Sequence, residues 1–180
     1  PWIRNNILKK DVQDQEIVDA FRQCKEAGLL TFGFNMLGIP YETEESMRKT
    51  VELNRQILPD TVFCSVFNPF PGTDLYDLVM DKGWMSDRKV NSYFEHTTVL
   101  DQPSVDAATV AHYHKFFRLM VRHPRVAAAL RPLDKVKING SASLYDQFDG
   151  VFGQSSRWRK EVIKMMPQAT KDRIKQLLRW

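Results

Sequence analysis

Cysteine is scarce in this chain, with two among 180 residues, Cys24 and Cys64, far apart and in no CxxC spacing. That excludes a disulfide framework and a zinc site built on paired thiols, and it leaves two buried structural thiols as the reading. Long apolar runs are missing too. No stretch of about 18 apolar residues occurs, so no membrane helix is expected, and the start lacks the regions of a signal peptide. The cytoplasm is the expected compartment. Zinc-finger and RNP-like signatures are absent, so a nucleic-acid partner is not expected. The chain opens Pro1-Trp2-Ile3-Arg4 with no methionine, cap or turn before it, which reads as a fragment or a processed form.

Hydrophobic residues make up 43% of the chain, enough for the packed core of one domain or of a partial domain with an extension. The net charge of +4 is unevenly placed. Residues 157–180 carry eight basic side chains against Glu161 and Asp172, and the remainder is slightly acidic. A basic amphipathic tail can bind an anionic surface; the plainer reading is the solvated face of a terminal helix.

The chain is organised around the stretch from Phe32 to Ser46. Apolar residues fill 29–37 with Thr31 and Asn35 as the polar exceptions, which predicts a strand covered on both faces, as in a parallel sheet. A Gly38-Ile39-Pro40 corner follows. Thr43 then caps a helix whose first turn holds Glu44 and Glu45, and Pro59 stops it. Before this stretch, Ile17, Val18, Phe21 and Cys24 recur at helical spacing between a capping Asp14 and a terminating Gly28. After it, Thr61 to Phe67 reads as a second strand. The corner Asn68-Pro-Phe-Pro-Gly-Thr-Asp74 and a short helix come next. This helix, strand, helix, strand order predicts right-handed crossovers and a parallel sheet or barrel. Two corners at the carboxyl ends of adjacent strands would form one wall of a pocket, with backbone amides and carbonyls exposed where Gly38 and Gly72 lack side chains.

Beyond Gly83 a helix is expected over 104–122, with Val110, Phe116 and Phe117 among its apolar positions. His112 and His114 are two apart and point to different helix faces, which argues against a metal pair. His96 and His123 show no partner in the sequence. A short helix at 125–130, a linker at 132–140 and helices bent at Pro167 within 155–180 complete the reading.

Three blocks carry a resemblance: Phe34-Asn-Met-Leu-Gly-Ile-Pro-Tyr-Glu-Thr43, a helix ending Ile57-Leu-Pro-Asp60, and Phe67-Asn-Pro-Phe-Pro-Gly-Thr-Asp-Leu-Tyr76. In this order and spacing they resemble the second half of the catalytic barrel of radical S-adenosylmethionine enzymes, nearest the subgroup with an N-terminal cobalamin-binding domain. The segment Trp2 to Lys10 is similar to the one after that family's fourth strand. The resemblance implies an α/β fold, the C-terminal part of a partial (βα)6 TIM-like parallel barrel at 1–83, followed by a mainly helical extension at 84–180. It implies S-adenosylmethionine as cofactor, a 4Fe-4S cluster, cobalamin as a feature of the subgroup, and an unidentified small-molecule substrate.

The implied cofactor-binding residues are Met36, Leu37, Gly38, Ile39, Pro40 and Glu42 of the first corner and Phe67, Asn68, Pro69, Gly72 and Thr73 of the second. Glu42 stands where relatives brace the turn with a glutamate, and Tyr41 where they usually have glycine. The cluster-binding CxxxCxxC loop precedes the region this chain resembles, so a missing N-terminal half is the implied partner, and no radical activity is expected of the chain alone. Val at Gly38 or Gly72 is expected to weaken cofactor binding more than folding. Two other classes fit the composition: another α/β-barrel metabolic enzyme, or a non-catalytic binding module using its basic C-terminal helix. Against a phosphate-binding enzyme, neither corner has a glycine-rich cradle or a nearby lysine.

Overall fold

The computed structural model describes residues 2–89, 95–125 and 127, and the backbone alone at Lys137–Ile138 and Ala142–Ser143. The chain divides into two compact units, Pro1–Arg122 and His123–Trp180. Of the second unit, Arg125 and Ala127 are helical, and Lys137–Ile138 pairs antiparallel with Ala142–Ser143. The helices expected within 155–180 lie outside the described residues.

The first unit opens with a π-helical turn at Ile3–Ile7, followed by α1 (Asp14–Glu26), β1 (Phe32–Leu37), α2 (Glu44–Ile57), β2 (Thr61–Val66), α3 (Asp74–Asp81) and α4 (Ala107–Arg122). The two strands are parallel and in register, Phe32 opposite Thr61 through Leu37 opposite Val66, with α2 as the crossover. The architecture is thus mixed α/β around a parallel strand pair.

Local chemistry explains the element ends. Thr43 accepts from the Ser46 N–H and the Ser46 hydroxyl closes a reciprocal capping box, so α2 starts one residue after Thr43. Thr73 caps α3 through its hydroxyl alone, which accepts from the Tyr76 N–H. At α1 the cap is Gln13, which shares a capping box with Glu16, and Asp14, the expected cap, is already helical and holds Arg4 at 2.7 Å. The last turn of α2 ends at Leu58 in the left-handed region, ahead of Pro59. Its carbonyls at Ile57 and Leu58 both accept from Lys25 Nζ at 2.7 Å, which ties α1 to α2.

Strand β1 is shorter than the apolar run suggests. Leu29 and Leu30 lie outside it and are exposed, while Thr31 is pinned to the Asp60 carboxylate through both its N–H and its hydroxyl. The expectation that both sheet faces are covered fails. One face carries Leu37, Val62 and Val66, which pack with Met47 and Val51 of α2 and with Val110, Tyr113, Phe117 and Val121 of α4. The other face carries Phe32, Phe34, Met36 and Phe63, all exposed, Phe34 at 77%. Among the described residues, the helices therefore cover one side of the strands.

A second core lies past the strand ends. Ile39, Phe67, Val79, Val99 and Leu100 are buried together, with Ile3, Ile7, Leu75, Trp84 and Met85 packed around them. Residues 84–122 thus pack into the same unit as the strands.

Candidate functional site

The two strand-end corners meet where the first core gives way to the second. Leaving β1, Leu37 is fully buried and its carbonyl accepts from the Phe67 N–H at 2.7 Å, which locks the two corners together. Gly38 then turns the chain at φ +75°, and an added Cβ there would sit 3.2 Å from Val110 Cγ1. Its missing side chain is explained by packing against α4. Ile39 and Pro40 are buried, and Tyr41 takes a positive φ of 65°.

Glu42 closes the turn. Its Oε2 accepts from the N–H of Gly38 at 2.6 Å and of Ile39 at 3.3 Å, and its own N–H donates to the Ile39 carbonyl at 2.9 Å. The side chain is 3% exposed, and burial pushes its carboxyl up to about 7 although the two amide bonds pull the other way. The Tyr41 N–H donates to Gln102 Oε1 at 2.8 Å. Pro40 has no N–H, so every amide donor from Gly38 to Glu42 is used inside the protein. A ligand at this corner finds no uncommitted amide there, contrary to the sequence-based expectation.

In the second corner Phe67 and Pro69 are buried, Asn68 is half-buried, and Gly72 and Thr73 are exposed. Thr73 is occupied as the α3 cap, its hydroxyl also donating to the Phe70 carbonyl at 2.8 Å. Gly72 has a φ of +85° and nothing within 4 Å of an added Cβ. Of the eleven implied residues, then, Leu37, Gly38, Ile39, Pro40, Glu42, Phe67 and Pro69 shape the corners from within. Met36 and Asn68 remain as side chains with surface to offer, Met36 on the strand face where Phe34 stacks against Phe32 and leans on Phe63, and Asn68 past the end of β2.

Several residues around the site were not legible in the sequence. Gln102 is the clearest, since a polar residue ahead of a proline carries no sign of a partner so far back in the chain. The Tyr41 ring stands edge-on to Trp84 at 5.0 Å and to Trp2 at 6.3 Å. An open cavity of about 390 Å³ lies beside them, lined by Trp84, Asp101, Gln102, Val105 and Asp106. His96, expected to be without a partner, meets His114 through their Nδ1 atoms at 2.7 Å. His114 Nε2–H donates to the Cys64 carbonyl at 3.0 Å, so α4 holds β2 through this ring.

Metal-ligating groups do not gather here. Among the described residues no three of His, Cys, Asp and Glu are placed to hold a metal ion. Cys24 is on α1 and Cys64 on β2, and burial together with the nearby Glu42 carboxyl pushes the Cys64 thiol up, away from the thiolate a cluster requires. No helix among the described residues is long and apolar enough to cross a membrane.

No family model matches the chain. Two curated proteins of Pyrococcus horikoshii do. An uncharacterised methyltransferase is 29% identical over 70 residues, 39% of this chain and 15% of its own length. A probable threonylcarbamoyladenosine tRNA methylthiotransferase is 38% identical over 88 residues, 45% of this chain and 20% of its own length. The aligned part of this chain spans a fifth or less of these relatives.

Proposed function

We propose that the chain supplies the adenine-side wall of an S-adenosylmethionine site in a radical-type enzyme that transfers a methyl or methylthio group. The observation that carries the reading is the one-sided packing of β1 and β2 among the described residues: α2 and α4 on one face, and exposed aromatic and aliphatic side chains on the other. A barrel wall is built this way, with helices outside and apolar side chains inside. An exposed apolar face on a parallel pair that has two strands among the described residues calls for further strands, and the proposed source is an N-terminal half of the same protein. The names of the two matching proteins agree with transfer chemistry.

The residues present fit the nucleoside part of that cofactor. Met36 and the Phe34 and Phe63 rings offer the apolar slot that a purine needs, and the Asn68 carboxamide offers a donor and an acceptor side by side for its edge. Bound there, S-adenosylmethionine would supply the transferable methyl group or the 5′-deoxyadenosyl group. The residues do not fit the iron-sulfur cluster, whose ligands must come from outside this chain. A cobalamin-binding domain has no counterpart in either relative's name.

The test uses the full-length polypeptide that contains this segment. Asn68→Ala should weaken S-adenosylmethionine binding in calorimetry about tenfold, the size of one lost polar contact to a ligand, and Met36→Glu at least as much, because it places a charge in the apolar slot. Met80→Ala, exposed on α3, should not. Unchanged affinity in both site variants would remove the reading.

A further inference from the structure

We infer that Gln102 is a positioning residue for the proposed cofactor wall, fixing the backbone at Ile39 and Tyr41 so that the end of β1 presents one fixed surface. This rests on the cofactor reading above. Gln102 Oε1 accepts from the Tyr41 N–H at 2.8 Å and from the Ser104 hydroxyl at 3.1 Å, while its Nε2 donates to the Ile39 carbonyl at 3.1 Å. A carboxamide holds its donor and acceptor side by side, so it can grip a carbonyl and an amide two residues apart. The residue between them is Pro40, which has no N–H of its own to offer.

The grip is itself braced. Arg88 donates to the carbonyls of Thr98 and Leu100, each at 2.7 Å, and to the Asp101 carboxylate at 2.6 Å. The Asp101 N–H donates to the Trp84 carbonyl at 2.8 Å, and Met85 bridges Leu100. This arm therefore holds the turn twice, through Gln102 on its backbone and through Trp84 on the Tyr41 ring. It also accounts for a tyrosine at a left-handed position: the strain of φ +65° is offset where the ring and the N–H both have fixed partners.

The test compares Gln102→Ala, Gln102→Glu and Val121→Ala in the full-length polypeptide, with S-adenosylhomocysteine as the calorimetric probe. Val121 is buried in the first core, so its truncation lowers the melting temperature without touching the turn. Gln102→Ala should weaken the probe about tenfold, and Gln102→Glu at least as much at neutral pH, because a carboxylate cannot donate to the Ile39 carbonyl. Hydrogen exchange at the Tyr41 amide should speed up in Gln102→Ala and stay at the parent rate in Val121→Ala. Affinity within twofold of the parent in both Gln102 variants would overturn the inference and leave the cofactor reading standing. A parent that binds no probe would overturn both.

Discussion

Glu42 is the residue with the largest consequence for pH. Its carboxyl titrates near 7 in the folded chain against an ordinary value of 4.5, so between those values the folded state holds a proton that the unfolded state has lost. Stability from this group is complete below about pH 4.5 and falls as pH rises to 7, by about 3 kcal/mol for a shift of this size. Urea denaturation of Glu42→Gln should show that decline abolished relative to the parent, with the variant as stable as the parent or more so at pH 8. Gly38 and Gly72 separate for a related local reason. Gly38→Val meets both a left-handed backbone and Val110, and should cost about 2–4 kcal/mol. Gly72→Ala meets backbone strain alone and should cost about 1 kcal/mol by the same denaturation assay. The space beside Gly38 belongs to α4, so Val at Gly38 is expected to cost folding stability as well as any binding.

The elements were legible wherever their signals were local. Thr43 and Pro59 act within a few residues of themselves, and the helix ends they predict are where the structure has them, as is the parallel pairing of the two strands. The covering of the strands was not legible, because the run from Leu29 to Leu37 is equally apolar whether its second face meets its own chain or another. The same limit hid Gln102 and the His96 partner, whose contacts join segments far apart in sequence. One long-range pair binds strand to helix. Asn35 and Asn54 exchange side-chain hydrogen bonds at 3.1 and 2.6 Å, with Asn54 2% exposed. A double-mutant cycle with alanine at both positions should give a coupling of about 1–3 kcal/mol, since either single change leaves the other side chain's oxygen without its donor. Coupling near zero would show that water replaces the partner.

At the scale of the whole molecule, Phe32, Phe34, Met36 and Phe63 form an exposed apolar surface on one face of the strand pair that the described residues form. Such a surface drives self-association when nothing covers it. Residues 1–180 on their own should therefore elute in size exclusion above the 21.0 kDa of a monomer, and Phe34→Glu with Phe63→Glu should restore the monomer. The central claim is that this face and the β1 and β2 ends hold the adenosyl group. The most direct measurement is photolabelling of the full-length polypeptide with an azidoadenine analogue of S-adenosylhomocysteine, followed by peptide mass spectrometry. The account predicts adducts within residues 34–73, on Met36, Phe63 or Asn68, that unlabelled S-adenosylmethionine competes away. Competed labelling confined to residues outside that stretch would contradict it.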